Sequence, residues 1–520
     1  MNRYLVILEV SQKQAYIFGS NKVKDNIVNS AIIAYVLGEK YIDKVLSKRG
    51  YDKEKNMVYS GGGHTILEFP DMEIGKSMIK ELTEQIYRNF DGLEVFAAIE
   101  QYKEESSVGE NLKALVKKLE RKKSLRKPAF RQGSYGIEQV DLNTLKPKCV
   151  DYDSEEKLKV KELENKEAKS FYPEKYKPAY EFEKLGGKKN DSNFIAVVHI
   201  DGNGMGKRVG ALYDELKNVS WEEAKKRLHD FSECIDNDFK DAYREMTDEV
   251  AEKLLDKEIS KELELTEDYF PVRHIITAGD DICFVTEGRI GIECARIFIE
   301  KLSDKTNKVD NKGYSACAGV CIVHCKYPFF RAYELAEMLC SNAKAYGAEI
   351  SPGDNGSSIS SVDWHIEFGE LQDYLTEVRK EYAVGDGTEL ELRPYVIKVS
   401  NKEVWNKINQ DKNFQYKKYD NFKNTIGSIQ KCEKDYGIGK VKGLRTALKQ
   451  GEISVKNYMH FYKMNNFIDD YTSRDFNLDT DKLFTGTKIE IPAYVKLQND
   501  EKKRSVIFDA IELMDTYISL

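Results

Sequence analysis

Apolar and polar residues at the start of the chain follow a pattern of strands and helices. Alternating or continuous apolar residues predict strands, whereas apolar residues three and four positions apart predict helices. The predicted elements are a strand at 3–10, a helix at 24–48, strands at 56–60 and 64–69, a helix at 73–90 and a strand at 93–101. The run Gly61-Gly62-Gly63 joins the two middle strands as a tight hairpin, so the order is βαββαβ.

A second stretch of the sequence repeats this order. Its predicted elements are strands at 194–201, 272–277, 282–286 and 314–323 and helices at 221–256 and 290–304. The run Ala278-Gly279-Asp280-Asp281 forms the hairpin between the two middle strands. The βαββαβ order is that of a ferredoxin-like unit, and the recurrence of the hairpin at the same place argues against chance. The sequence therefore predicts an α+β fold with two ferredoxin-like domains.

The remaining sequence extends these two units. A helix at about 328–346 and a strand at about 357–366 are predicted after the second copy, and charged helical patterns follow from about 370. We therefore divide the chain into a first ferredoxin-like domain at 1–101, an irregular to helical connecting region at 102–193, a second ferredoxin-like domain at 194–369 and a mainly helical C-terminal domain at 370–520.

Composition excludes several classes of protein. Of the 520 residues, 41% are hydrophobic and 32% are charged, which is too apolar for a disordered chain and too polar for a membrane protein. No apolar run reaches the roughly 20 residues that span a bilayer, and the first residues lack the pattern of a signal peptide. The net charge of −7 is nearly balanced for this length and does not indicate a dedicated nucleic-acid binder. We therefore expect a cytoplasmic protein whose nine cysteines are mostly reduced thiols.

Acidic residues mark one edge of the second unit. In a βαββαβ unit, strands one and two run parallel with strand three between them, so Asp201 at the end of strand one lies beside Asp280 and Asp281. Neighbouring carboxylates repel each other unless a cation lies among them, and oxygen ligands favour Mg²⁺ or Mn²⁺. Two such ions about 3.5–4 Å apart can catalyse phosphoryl transfer. The alternative is an ordinary aspartate-rich turn.

A glycine-rich segment follows Asp201 directly. Its sequence is Gly202-Asn203-Gly204-Met205-Gly206-Lys207. Glycines let the backbone approach a ligand closely, and exposed N–H groups can bind phosphates. Gly279 likewise permits the tight turn of the hairpin. A plain surface loop is the alternative for the glycines alone, but together with the carboxylates they indicate a nucleotide site.

The segment from Ile200 to Lys207, together with Ala278 to Asp281, resembles the palm of the CRISPR polymerase family. This family is the large "Cas ten" subunit of type III CRISPR effector complexes and is related to GGDEF-type nucleotide cyclases. The stretch from Pro328 to Lys344 is similar to the helix that follows the palm in both groups. The first copy, with Ser60 to His64, resembles the family's degenerate first palm, and the helical tail resembles its C-terminal domain.

The resemblance implies an enzyme that condenses ATP into cyclic oligoadenylates and releases pyrophosphate in antiviral defence. By this match Asp201 and Asp281 would hold two Mg²⁺ or Mn²⁺ ions, with Asp280 alongside as a further catalytic and metal-binding carboxylate.

The same match assigns the nucleotide contacts. The triphosphate would lie on Lys344, on Gly279 and on the backbone of residues 202–207. The acceptor nucleotide would contact Ser60, Gly61 and Gly62 of the first copy, with the two palms packed face to face. The protein would then be a monomer with an internal pseudo-dimer of palms, or a homo-oligomer.

The resemblance also implies guide or target RNA and other CRISPR subunits as partners. The family's N-terminal HD nuclease and its four-cysteine zinc site are not recognised in this sequence, so signalling is the expected output. Ala278 stands where the family usually has glycine, and Asn203 stands where many members have aspartate. One alternative is therefore a non-catalytic nucleotide-binding scaffold in an RNA-guided complex. Another is a cyclic dinucleotide synthase or an enzyme specific for guanine.

Other chemically suggestive residues have plainer interpretations. Cys317, Cys321 and Cys325 share one face of a predicted strand near His324, which favours a buried core over a zinc site. The pair His229-Asp230 lies within a predicted helix and does not indicate a nuclease site.

The first unit offers weaker candidates. Glu9 occupies the position of Asp201 but has no hairpin acid beside it, so we expect no metal site there. His64 either touches a nucleotide or starts a strand. The basic run from Lys113 to Arg131 is typical of a solvated helix face, with contact to RNA or nucleotide phosphates as the alternative.

Overall fold

Both predicted repeats form antiparallel strand–helix units in the computed structural model. The structure describes residues 3–20, 22–61, 63–125, 139, 154–179, 181–185, 193–265, 269–367, 374–385, 387–464, 494–497 and 502–520. Gly62 and the part of the basic run beyond residue 125 lie outside the described residues. The architecture is α+β with a strand order typical of ferredoxin-like units, which confirms the predicted fold class.

The first unit is built on four strands. They are β1 (Tyr4–Ser11), β2 (Met57–Gly61), β3 (His64–Phe69) and β4 (Glu94–Gln101), in the sheet order β2-β3-β1-β4. Its helices are α1 (Lys13–Ile17), α2 (Val23–Leu37), α3 (Glu39–Ser47), α4 (Lys53–Asn56) and α5 (Met72–Asn89), and α6 (Val108–Ser124) and α7 (Glu155–Lys169) follow in the connecting region. The predicted helix at 24–48 is interrupted because Gly38 takes an extended backbone, with ψ of 158°, between α2 and α3.

The second unit repeats this arrangement. Its strands are β5 (Phe194–Gly202), β6 (Val272–Ala278), β7 (Asp281–Glu287), β8 (Ala316–His324) and β9 (Ile359–Glu367). Its helices are α8 (Met205–Glu215), α9 (Trp221–Lys253), α10 (Lys257–Leu263), α11 (Gly291–Ser303) and α12 (Phe329–Ile350). Alternate residues of β5 enter two different cores, since Val198 and Ile200 pack with α9 and α11 whereas Val197 packs with α12.

The C-terminal part contains short strands and further helices. These are β10 (Thr388–Glu389), β11 (Tyr395–Val399), β12 (Tyr494–Val495) and β13 (Lys503–Ser505), with α13 (Leu375–Val378), α14 (Lys402–Ile408), α15 (Tyr419–Tyr436), α16 (Ile438–Lys449), α17 (Glu452–Phe461) and α18 (Phe508–Leu513). Among all these described elements, no helix combines the length and the apolar character needed to cross a membrane.

One strand from beyond the predicted boundary at residue 370 belongs to the sheet of the second unit. β11 pairs antiparallel with β9, so the second sheet has six strands in the order β11-β9-β8-β5-β7-β6. These residues fall in the range 370–520 that the sequence predicts as the helical C-terminal domain. They join the sheet because Tyr395 stacks on Trp364 of β9, with ring centroids 5.3 Å apart, and both rings are buried. The division of the chain into four domains otherwise stays a prediction.

The two units pack by exchanging helices. α9 of the second unit lies on β2 of the first, where the Ser232 hydroxyl donates to the Ser60 carbonyl at 3.1 Å. Conversely, α2 of the first unit lies on β6 of the second, and Ile27 shares a core with Ile275 and Ile276. In each sheet, the first helix of the same unit covers one face. A helix of the other unit covers part of the opposite face.

Helix α12 lies unusually close to β8, and this contact sets the position of the helix. A Cβ atom at Gly319 would lie 1.9 Å from the carbonyl oxygen of Ala336 and 2.4 Å from the amide nitrogen of Cys340. Only a residue without a side chain lets the helix backbone approach the strand to this distance.

Gly319→Ala should destabilise the protein, because the new methyl group overlaps the backbone of α12. We expect a loss of about 1–3 kcal/mol in the free energy of unfolding, the usual range for overpacking, measured by denaturant unfolding. Gly427→Ala is the matched control, since a Cβ there meets nothing within 4 Å in helix α15. It should be neutral or stabilise by up to about 1 kcal/mol. Equal effects of the two substitutions would contradict the packing argument.

Candidate active site

The predicted carboxylates lie together at one edge of the second sheet. Asp201 near the end of β5 is paired across the sheet with Asp281, the first residue of β7. The amide of Gly202 donates to the carbonyl of Asp280 at 3.1 Å, which holds the hairpin against the end of β5. The structure therefore brings Asp201, Asp280 and Asp281 to one place, as the strand order predicts.

The turn between β6 and β7 depends on Gly279. Its φ of +67° lies in the left-handed region that residues with a Cβ atom disfavour. Ala278, which stands where the resembled family usually has glycine, is the last residue of β6 and needs no positive φ. The unusual first residue of the hairpin therefore leaves the turn intact.

A lysine already faces the carboxylates. Lys344 of α12 forms an ion pair with Asp201, and its ammonium group also donates to the carbonyl of Gly202 at 3.1 Å. Burial lowers the pKa of Lys344, but the charge of Asp201 and its hydrogen bond, together with smaller contributions from Cys340 and Cys317, raise this pKa above its usual value. The lysine that the sequence assigns to the triphosphate thus neutralises one of the three acids.

The ionised forms of the remaining two acids, Asp280 and Asp281, are electrostatically unfavourable. Burial, followed by the charge of Asp201, raises the pKa of Asp281 to about 7 and that of Asp280 to about 6. The Oδ1 atom of Asp281 is buried without a hydrogen-bond partner, although 41% of the side-chain surface is exposed. Nδ1 of His199 lies 3.4 Å from it, and burial lowers the pKa of this histidine, which favours the neutral ring. The site has a deficit of positive charge.

This deficit is what a divalent cation would relieve. Within the described ranges, no group of three or more His, Cys, Asp and Glu side chains is close enough together to hold a metal ion. The donor chemistry nevertheless fits Mg²⁺ or Mn²⁺, because the buried oxygen of Asp281 lacks a partner and the three carboxylates are hard oxygen ligands.

The glycine-rich segment forms the turn from β5 into α8. Gly204 precedes the helix with a φ of +69°, and a Cβ on it would lie 3.1 Å from the Cβ of Ser357. A Cβ on Gly202 would lie 3.0 Å from the Cβ of Asp280, whereas Gly206 faces open space. The first N–H groups of the 11-residue helix α8 therefore point out of this turn and suit an anion.

Asn203 supports the turn rather than facing the carboxylates. Its Nδ2 donates to the carbonyl of Ile359 in β9 at 2.7 Å, and its amide donates to the carbonyl of Ser315 at 2.8 Å. The side chain is buried. Asn203 thus ties the turn to the sheet. Its predicted contact with a nucleotide stays untested, while Met205 lies beside Gly202 and Lys207 is exposed.

Two adjoining cavities open beside this turn. Both are lined by Asn203, Gly204, Lys207 and Ser357. The cavity of about 260 Å³ also reaches Lys344, and the other, of about 330 Å³, reaches Arg208 and Lys312. Arg208 is already paired with Asp310, which leaves the lysines and the backbone N–H groups around the glycines as the groups that can bind phosphates. Neither cavity is lined by the three carboxylates, and Lys344 connects the smaller cavity to them through its ion pair with Asp201.

The first unit contains a counterpart of the acid–lysine pair. Glu9 is paired across the sheet with His64, in the register in which Asp201 faces Asp281. Lys123 of α6 lies 2.8 Å from Glu9, as Lys344 of α12 pairs with Asp201. The basic run was interpreted as a solvated helix face, but this lysine is an internal partner. Glu9 therefore has a cation already, and the absence of a metal site there stays a prediction.

Two of the residues predicted to contact the acceptor nucleotide, Ser60 and Gly61, make contacts within the protein. The Ser60 hydroxyl donates to the carbonyl of Leu37 at 2.8 Å, and a Cβ on Gly61 would lie 2.1 Å from Oγ of Ser232. Both residues thus contact neighbouring helices, and Gly62 lies outside the described residues. Their role in binding an acceptor stays a prediction. The imidazole ring of His64 lies 4.9 Å from the ring of Tyr59.

The three cysteines in and directly after β8 are core residues. Cys317, Cys321 and Cys325 are all buried free thiols. Their burial agrees with the interpretation of these residues as packing residues.

Two residues near the carboxylates were missed by the sequence analysis. Glu337 of α12 raises the pKa of Asp281, and Lys13 of α1 opposes that increase. Lys13 follows Glu9 by four positions, as Met205 follows Asp201, so aligning the two copies would have indicated it. Glu337 carried no such signal, because its position depends on how α12 lies on the sheet.

One family model is similar to the second unit. Residues 194–349 match the family model of the Cas10/Cmr2 second palm domain, which confirms the resemblance found in the sequence. No curated protein gives a significant match to the sequence.

Solved structures share the fold over a longer part of the chain. Csm1 of T. onnurineus is 15% identical, with a TM-score of 0.53, over 99% of this chain and 70% of that chain. A Csm1–Csm4 cassette in complex with cA4 is 14% identical, with a TM-score of 0.52, over 100% of this chain and 70% of that chain.

The match to another related structure is shorter. The Csm1–Csm4 subcomplex in the type III-A CRISPR-Csm interference complex is 14% identical, with a TM-score of 0.43, over 69% of this chain. The chain spans 54% of the length of that protein. The two structures with TM-scores of 0.53 and 0.52 show a shared fold and, at these identities, nothing further.

The raised pKa of Asp281 predicts a pH-dependent effect of Asp281→Asn. The unfolded carboxyl group ionises near pH 3.8, whereas the folded one ionises near pH 7, so the folded state binds the proton more tightly. The stability of the unchanged protein should therefore fall as pH rises from about 4 to about 7. With EDTA present, the variant should be the more stable protein at pH 8, and this advantage should vanish toward pH 4.

Thermal unfolding midpoints across this range check the prediction. Asp241→Asn, which removes an exposed carboxylate of α9, is the control and should show no such trend. Added Mn²⁺ should narrow the difference at pH 8 by stabilising only the protein that keeps Asp281. A stability difference between the variant and the unchanged protein that is constant with pH would contradict the electrostatic interpretation.

Proposed function

We propose that this protein is a metal-dependent nucleotidyltransferase that condenses ATP into cyclic oligoadenylates and releases pyrophosphate in the cytosol. The observation that carries the proposal is the meeting of Asp201, Asp280 and Asp281 at one sheet edge, next to Lys344 and the turn before α8. The match of residues 194–349 to a second palm domain supports it.

In this proposal the three carboxylates hold two Mg²⁺ or Mn²⁺ ions. Such ions, when bound, favour ionisation of the attacking hydroxyl and neutralise charge on the reacting phosphate. Asp201 faces Asp281 across the sheet, and Gly279 places Asp280 beside them. A rigid hydrogen-bonded strand pair keeps these carboxylates in fixed relative positions, which catalysis by positioning requires.

The chain's own groups would bind the triphosphate. One cavity beside the start of α8 is lined by Gly204, Lys207 and Lys344, and Lys344 connects it to the carboxylates through its ion pair with Asp201. The acceptor's hydroxyl oxygen would attack the α-phosphorus, and the bond to the bridging oxygen would break as pyrophosphate leaves. Lys344 pairs with Asp201 in the absence of substrate. When the triphosphate binds, its ammonium group would leave Asp201 and bind a phosphate oxygen.

The proposal extends to partners. A Csm1 chain that shares this fold forms a cassette with Csm4 in complex with cA4. We infer for this protein a similar place in a CRISPR effector complex with other subunits and guide or target RNA, in antiviral defence. The two palms of one chain would form the internal pseudo-dimer that holds donor and acceptor.

A non-catalytic scaffold is the second candidate. Two observations favour it: Lys344 pairs with Asp201, and no metal-binding group of three side chains is assembled in the described part of the chain. Titration calorimetry separates the two functions, because a scaffold would bind ATP and yield no product over long incubation.

The enzyme assignment predicts specific products. Purified protein with Mg²⁺ or Mn²⁺ and each of the four nucleoside triphosphates should give cyclic oligoadenylate and pyrophosphate from ATP, detected by mass spectrometry. Replacing Asp280 and Asp281 together by alanine should abolish turnover, because the metal ligands are lost. Asp241→Ala, on the exposed side of α9, should leave the rate unchanged.

Each contrary result has its own meaning. Unchanged turnover in the double variant would reject the assignment of the carboxylates. A cyclic dinucleotide or a guanine product would keep the reaction and change its substrate or ring size.

A further inference from the structure

Helix α1 of the first palm is docked on α12 of the second palm. Nε2 of Gln14 donates to Oε1 of Glu337 at 2.7 Å. The ring of Phe18, directly after α1, lies 4.3 Å from the ring of Tyr333, measured between centroids. The same helix α12 carries Lys344. The start of α1 therefore has a fixed place beside the candidate active site, although it belongs to the other palm.

Lys13, the first residue of α1, extends over the hairpin of its own palm. A Cβ atom at Gly63 would lie 2.0 Å from the Nζ atom of Lys13 and 2.4 Å from its Cε atom. Gly63 also has a φ of +79°, which disfavours any residue with a side chain. The hairpin between β2 and β3 thus leaves space for this one ammonium group.

Carboxylates of both palms act on the ammonium group of Lys13. Burial lowers its pKa, while the charges of Glu9 in the first palm and of Asp281 and Asp280 in the second act in the opposite direction. Lys13 and Lys344 are the two lysines that oppose the increase in the pKa of Asp281. Glu9, which also has Lys123 at 2.8 Å, is the carboxylate that acts most strongly on Lys13, and Asp281 of the other unit is the next.

We infer that Lys13 is a substrate-binding residue whose ammonium group crosses the palm interface and binds a phosphate oxygen of the nucleotide held at Asp280 and Asp281. This inference rests on the proposed function. The first palm would then supply positive charge to the catalytic site of the second. A charge-assisted contact to a phosphate is the kind of interaction in which an ammonium group contributes strongly.

The test compares two affinities in Lys13→Met and Lys13→Arg. Removing a positive charge beside the acids should strengthen binding of Mn²⁺ alone by about threefold to tenfold. It should weaken binding of ATP at saturating Mg²⁺ by about tenfold or more, because one contact from a charged donor to the phosphates is lost. The arginine variant should keep both affinities near those of the unchanged protein.

Opposite changes in the two affinities separate substrate binding from a structural role. Lys22→Met, which changes an exposed lysine of the same segment, is the control and should alter neither affinity. A parallel loss of both affinities in Lys13→Met would mean that the lysine merely holds the interface together, and this would overturn the inference. Unchanged ATP affinity would overturn it as well.

The outcomes also separate this inference from the proposed function. If no nucleoside triphosphate yields product but Lys13→Met still shifts the two affinities in opposite directions, the catalytic function fails and the inference stands. If product forms and Lys13→Met keeps the ATP affinity of the unchanged protein, the inference fails alone. A protein that binds no ATP would overturn both.

Discussion

Repulsion among carboxylates that the fold holds together is the interaction on which the candidate site depends. Asp201, Asp280 and Asp281 cannot move apart, because strand pairing and the hairpin fix their backbones. Positive charge must come to them instead, and in this structure Lys344 supplies part of it. That lysine reaches Asp201 because α12 lies against β8, and the helix lies there because Gly319 has no side chain. The close packing at Gly319 thus determines which positive charge reaches the carboxylates.

The strand order and the carboxylates could be predicted because both are local consequences of the chain's pattern. The βαββαβ order determines which strand ends meet, so the position of Asp201 beside the hairpin needed no knowledge of other contacts. β11 could not be predicted this way. Its short apolar stretch forms a strand because it packs against Trp364, which lies about thirty residues earlier in β9. The side chain of Asn203 likewise faces a strand that the local pattern does not reveal.

The lysines near the site show a second limit of the sequence. Lys123 looked like part of a solvated basic face, yet it pairs with Glu9. Aligning the two copies places Lys13 at the position of Met205, but its proximity to Asp281 depends on the relative orientation of the two units. The two units have corresponding charges, because each has an acid at the end of its first strand and a lysine from the helix after its fourth strand. The units differ in the hairpin, where His64 of the first unit occupies the position of Asp281 in the second. The first unit therefore lacks the excess of negative charge that the second unit has.

The exchange of helices between the two units has a consequence for synthesis of the chain. Residues Leu5, Ile7 and Val58 of the first sheet share a core with Leu228 and Phe231 of α9. A ribosome makes the sheet well before it makes that helix, and α6 covers only part of the exposed face in the meantime. The nascent first unit thus carries an uncovered apolar surface while more than a hundred further residues are added. Chaperone binding to this surface during translation, rather than independent folding of the first unit, is the behaviour that such a topology favours.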